Sequence, residues 1–299
     1  MTGQCRLCHN EAELCESHVL PKFAWDWLKR TAVSGIRVGN NPNRRVQDGM
    51  KDFLLCLGCE GRFAVFEKAF SENIFVPVHR HEPIFDRSYG PWALEFAVSV
   101  SWRVLQYHIE RSPLVHFSLK QRQAAQAAGE RWRQFLLRDA PHPGNFEQHL
   151  IPLDLIDSHS ARDISPFINR YITRTLDMDV VCSERAAMTF AKVGQIVIFG
   201  LISFSKRSEW KGTKLRLRRG DFSDRYLRLP GGIYEYLNQQ ADRAKAALDS
   251  LSPRQAAKAE QVIWRSPEKV ANSLAFEAMA RDIGFSGNLA FASDDDYPP

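Results

Sequence analysis

The 299-residue chain has no apolar run near the roughly 20 residues that a membrane span requires. Its most apolar stretch, Gly194 to Phe204, has the length of a buried strand instead. No apolar leader follows Met1, where cysteine and charge begin at once, so the sequence predicts a cytoplasmic protein. Cysteine is scarce, with six residues, which argues against a disulfide-stapled scaffold. In a reducing compartment, paired cysteines bind metal more often than they form disulfides. There is no internal repeat, which excludes a solenoid. Charge is not extreme: 40 Lys and Arg against 35 Asp and Glu leave a net +5, a balance that suits nucleic acid without requiring it. What remains is an ordinary globular composition, 44% hydrophobic and 25% charged, with ample core for one large domain or two smaller ones.

Hydrophobic spacing predicts α+β organisation. Pro21 opens a helix whose Phe23, Trp25, Trp27 and Leu28 form a core stripe. Residues 31–50 read as a loop, with a hairpin at Asp48-Gly49. Phe53-Leu54-Leu55 is a short strand, and Phe63, Phe66 and Phe70 follow at helical spacing. The Pro-rich stretch 73–92 reads as a linker and places a domain boundary near residue 86. Beyond it come an apolar helix over 92–111 and an amphipathic basic one over 118–138 carrying Lys120, Arg122, Arg131 and Arg133. Strands follow within 146–203, with a turn at Val193-Gly194. An alternating basic edge covers 213–219, and helix runs from Pro230 to about 283. The predicted division is 1–86, 87–285 and a flexible acidic tail, 286–299.

Chemistry concentrates at the N-terminus. Cys5 and Cys8 form one Cys-x-x-Cys pair, Cys56 and Cys59 a second. Two such pincers make a tetrahedral, closed and therefore structural zinc site. Between them stands Glu16-Ser17-His18-Val19-Leu20-Pro21. Zinc would hold His18 beside the helix that follows Cys59, and an imidazole so placed can take a proton from water. Glu60 and Glu67 lie two turns apart on that helix and share a face. Cys15 reads as a buried thiol, with His9 a reserve ligand. Cys182 reads as core, and His79 and His81 as surface residues. A basic run, Lys206, Arg207, Lys211, Lys214, Arg216, Arg218 and Arg219, holds a single acid, Glu209. It reads either as a solvated sheet edge or as a phosphate-backbone contact.

Cys5-Arg6-Leu7-Cys8, Ser17-His18-Val19-Leu20-Pro21 and Leu54-Leu55-Cys56-Leu57-Gly58-Cys59-Glu60 together resemble the HNH (ββα-metal) endonucleases in their four-cysteine zinc form. The likeness spans about the first 70 residues. It implies a ββα-metal domain and cleavage of DNA, with RNA as the other candidate polymer. By position it makes His18 the general base and Cys5, Cys8, Cys56 and Cys59 the zinc ligands. Glu60 becomes a ligand of a catalytic Mg2+ or Mn2+. Ser17 and Lys51 depart from the pattern, which has a metal-liganding Asp or His and an orienting Asn there. Glu16 or Glu67 could supply the missing carboxylate, and Asn43, Gln47 or Asp48 could orient His18. The segment 17–23 is also similar to bacterial HNH-type proteins from anti-phage defence loci such as Zorya, which implies partner subunits. The alternative expectation is a catalytically inactive zinc-knuckle module that binds nucleic acid or a protein.

Overall fold

A computed structural model describes residues 1–32, 35–39, 41–82, 87–111, 114–158, 163–205, 207–222, 227–265 and 267–291. The protein is mixed α+β, and its sheets are antiparallel. From the N-terminus come β1 (Thr2–Gln4), β2 (Glu11–His18), α1 (Lys22–Thr31), β3 (Ile36–Val38), β4 (Asn41–Val46), β5 (Lys51–Cys56) and α2 (Leu57–Phe70). Next are α3 (Val76–His79), β6 (Ser88–Tyr89), α4 (Pro91–Arg111), α5 (Leu119–Leu137), β7 (Gln148–Pro152) and α6 (Ile168–Arg174). Then follow β8 (Leu176–Ser183), β9 (Ala186–Val193), β10 (Ile196–Phe204) and β11 (Gly220–Asp221). The last helices are α7 (Gly231–Asp249), α8 (Pro253–Arg265), α9 (Pro267–Ala271) and α10 (Leu274–Ser286).

Two compact units interleave along the chain. One holds Met1–Ala24, Gly49–Pro152 and Leu176–Leu229; the other holds Trp25–Asp48, Leu153–Thr175 and Pro230–Pro299. The boundary expected near 86 falls in 83–86, outside the described residues. On either side of it, α2 and α4 pack together within the first unit. The expected linker over 73–92 begins instead as helix: a π-helical turn over Ser71–Phe75 runs into α3, with Pro77 in the first turn of α3, where its missing N–H costs nothing.

In the first unit, β1, β2 and β5 form one sheet in that order. A bulge in the β2–β5 pairing lets Leu54 and Leu55 of β5 both be buried. The second sheet has the order β7-β10-β9-β8. The β9–β10 turn lies where expected and needs glycine: Gly194 has φ +62°, and a Cβ there would meet the His79 ring. Helix α4 is apolar on nearly every face and therefore buried, packed on α2, α5 and the second sheet. Helix α5 opens with the Ser118–Gln121 capping box and ends at Arg138 in the left-handed conformation. The 213–219 stretch is not a regular strand. It bridges the edge of β7 through Leu150 N–H to the Thr213 carbonyl and Leu215 N–H to the Gln148 carbonyl, both 2.9 Å.

In the second unit, residues 36–46 form a hairpin that reverses between Val38 and Asn41, not at Asp48-Gly49. Arg37 holds it by donating to the Pro42 carbonyl (2.7 Å). Buried Asp282 of α10 accepts the backbone N–H groups of Asn169 and Arg170 and the Arg170 side chain, which fixes the start of α6, an element the spacing did not predict. Helix α10 reaches Ser286 and a 3-10 turn covers Gly287–Ala290, so the tail expected from 286 begins as helix. Residues 292–299 lie outside the described residues, as does Lys206.

Candidate functional site

The loop between β1 and β2 folds back on itself. The Cys5 N–H donates to the Asn10 carbonyl, and the His9 N–H donates to the Cys5 carbonyl, with His9 left-handed at φ 62°. The Arg6 N–H reaches the Leu54 carbonyl and joins the loop to β5. Cys56 ends β5 and caps α2, so Cys59 falls in the first helical turn. The Sγ atoms of Cys5, Cys8, Cys56 and Cys59 all lie within 4.8 Å of one another. Cys8 and Cys56 are 3.9 Å apart, close to the ~3.8 Å edge of a tetrahedron with ~2.3 Å zinc–sulfur bonds. The set can hold one tetrahedral ion such as zinc.

Their environments differ. Burial pushes the Cys5 thiol up, but N–H groups of Cys8, Cys56 and Leu7 outweigh it and bring it down to about 7. Burial pushes Cys8 and Cys59 up. Cys15 is raised by burial and then by Glu60, and it is not part of the cluster. Arg133 braces the knuckle by donating to the Leu7 carbonyl (3.0 Å) while paired with Glu130 (2.7 Å). This gives one of the basic residues of α5 a structural task.

β2, β5 and α2 form a β-β-α unit, with Ser17 opposite Asp52 and His18 opposite Lys51. Ser17 is buried, and its hydroxyl donates to the Cys15 carbonyl at 3.4 Å. His18 is half-buried at the end of β2. Its carbonyl accepts from Nη1 of Arg103 (3.0 Å), a side chain only 2% exposed in the middle of α4. Nη2 of Arg103 donates to Glu67 Oε1 at 2.6 Å, and its guanidinium lies 5.4 Å from the Phe63 ring centre. Spacing alone did not single out Arg103. A charge within the buried stretch 96–105 of α4 was the available signal, because a buried cation demands a partner.

The three candidate carboxylates part company. Glu67 is the counter-ion of Arg103. Glu16 pairs with Lys51 at 3.1 Å. Glu60, in the first turn of α2, has a buried Oε1 with no hydrogen-bond partner. Among the described residues, the four cysteines are the one group of three or more His, Cys, Asp or Glu side chains that come within ligand reach of each other.

In the basic segment, Lys211, Arg216, Arg218 and Arg219 are exposed. Lys214 is exposed too, but pairs with Glu147 at 2.7 Å. Contact with His149, and with Lys214, holds the Glu147 carboxyl down to about 2. Burial lowers His149, whose Nδ1 contacts the Thr213 hydroxyl at 2.8 Å. His79 serves packing: its Nδ1 faces the Phe75 carbonyl and its Nε2 accepts the Gln195 N–H. Cys182 donates to the His116 carbonyl at 3.4 Å.

No protein-family model, no curated protein and no solved structure matches this chain. No helix among the described residues is long and apolar enough to cross a membrane.

Proposed function

We propose that this protein is a zinc-framed, metal-dependent endonuclease of the HNH type that nicks or cuts DNA. The observation that carries the reading is Glu60. Its buried, unpartnered carboxylate oxygen sits one residue past the sulfur cluster, on the helix of the β-β-α unit that ends β2 at His18. Zinc on Cys5, Cys8, Cys56 and Cys59 would fix the start of α2 against the knuckle. His18 would take the proton of the attacking water. Mg2+ or Mn2+, when bound, supplies charge stabilisation to the phosphorane and the leaving 3′-oxygen. Glu60 is the residue here that fits it. Such hard ions are commonly held by one or two carboxylates together with water and substrate phosphates.

Glu67 is paired with buried Arg103, and Glu16 pairs with Lys51 at the surface, so Glu60 is the carboxylate proposed for the ion. Lys211, Arg216, Arg218 and Arg219 would hold the polyanion's backbone, with Lys214 shared with Glu147. RNA is the alternative polymer. A place beside partner subunits in anti-phage defence or repair rests on the sequence resemblance alone.

The absence of a second three-ligand cluster among the described residues favours another reading: a catalytically inactive module whose zinc frame presents a nucleic-acid or protein surface. Plasmid nicking with Mg2+ separates the two. The nuclease reading expects nicking that His18→Ala abolishes; the binding reading expects none from wild type.

A further inference from the structure

We infer that Arg103 is the positioning residue of His18, and that Glu67 is its counter-ion and not a metal ligand. The inference rests on the nuclease reading for its activity readout, but its geometry stands apart from it. Among the described residues, β1 pairs with β2 in register as far as Glu13, with one further bond from the Leu14 N–H to the Met1 carbonyl, and the rest of β2 pairs with β5. His18 is the last residue of β2, and the Val19 N–H after it donates to the Met50 carbonyl (3.0 Å).

The Arg103 guanidinium reaches the main chain of His18 and two helices. All three nitrogens of Arg103 are committed, each to a different element: Nη1 to the His18 carbonyl on β2, Nη2 to Glu67 on α2, and Nε to the Ser99 carbonyl on α4. One rigid plane therefore ties the end of β2 to the helix that carries Glu60. Glu60 and Glu67 are two turns apart on one face, so fixing Glu67 relative to His18 also fixes the spacing between His18 and Glu60. Lysine cannot substitute, because one ammonium on a flexible stem lacks the planar fork. Glu67 has 19% side-chain exposure and Arg103 2%, so the pair is shielded from water and from competition by salt.

Three full-length variants test this: Arg103→Lys, Glu67→Gln, and the paired Arg103→Met with Glu67→Met. Replacing a buried ion pair by apolar side chains commonly preserves the fold, so the paired variant guards against a merely unfolded result. Zinc content should stay at wild type in each. In plasmid nicking, Arg103→Lys and the paired variant should lower kcat about 100-fold, with KM within about twofold, because DNA-contacting residues are untouched. Glu67→Gln should fall between, and a ligand role for Glu67 would instead make it as damaging as Glu60→Gln.

Ring resonances of the nine histidines, with His18 assigned through His18→Gln, give a readout that needs no catalysis. The His18 signal should shift and broaden in Arg103→Lys and in the paired variant, while those of His79 and His149 stay in place. An unchanged His18 signal overturns the inference whether or not wild type nicks. If wild type fails to nick but His18 alone responds, the nuclease reading falls and the positioning role stands.

Discussion

The two ends of α2 hold their surroundings by different chemistry. At its start, four thiols converge from residues 5, 8, 56 and 59, all within 4.8 Å. Two turns further on, a single buried guanidinium gathers β2, α2 and α4. The Cys56 N–H reaches Cys5 Sγ at 3.3 Å, and beyond that contact the four thiols would hold their elements through a shared metal ion. The guanidinium holds its elements directly, and only while Glu67 balances its charge. Removing metal should therefore act on the knuckle, and removing charge should act on His18.

The largest expected effect breaks the first end. Cys56→Ser with Cys59→Ser should abolish zinc binding and remove cooperative melting of the unit, since structural zinc contributes on the order of 10 kcal/mol to small folds. Zinc stoichiometry and a thermal melt check it. A variant that still melts at the wild-type temperature would mean that packing, not metal, frames the knuckle. Next in size, Glu67→Ala strands the Arg103 charge and should cost about 3–5 kcal/mol in urea unfolding. A loss under 1 kcal/mol would show that water already reaches the pair.

These two ends were not equally legible. Cysteine pincers leave a spacing pattern, because ligands must come in close sequence pairs to converge on one ion. Cys5, Cys8, Cys56 and Cys59 could therefore be grouped, and the strand over 53–55 and the helix after Cys59 followed from apolar periodicity. Arg103, Glu67 and His18 meet from three separate elements, and no spacing rule joins them. The pairing of Glu16 with Lys51 and of Glu67 with Arg103 was not legible either, because both are contacts of the fold. The 36–46 hairpin was missed for a similar reason: Asn43 is tied to Ser250 and Ser252, some two hundred residues away. Pro77 suggested a linker, but at a helix start proline is tolerated, and the helical path continues through it.

The basic segment sharpens the contrast from outside the β-β-α unit, since its anchor is also an ion pair. Glu147 is held near 2 in the folded protein against an ordinary 4.5. A folded value below the unfolded one means stability that is present above about 4.5 and lost as pH falls towards 2. Its size is about 3 kcal/mol. His149, lowered by burial, adds loss in the same direction once pH drops below 6.5. Glu147→Gln should lower stability at pH 7 and flatten the part of the acid loss below pH 4.5, as measured by urea titrations followed by tryptophan fluorescence at several pH values. An unaltered pH profile would remove Glu147 as the anchor. The smallest effect is on binding. Arg216, Arg218 and Arg219 changed together to Ser should reduce the slope of log affinity against log salt by about 3, about one per phosphate contact, and leave melting unaltered. An unchanged slope would place the polyanion elsewhere.

In the proposed function, His18 beside the four-cysteine cluster cleaves a phosphodiester with help from a hard cation at Glu60. Supercoiled plasmid incubated with the purified full chain, with and without Mg2+, tests it directly. Wild type should show Mg2+-dependent nicking that falls by roughly 100- to 10,000-fold in His18→Ala, with zinc content and melting unchanged. Equal nicking by wild type and His18→Ala, or none by a folded, zinc-loaded wild type with Mg2+ or Mn2+, would contradict it.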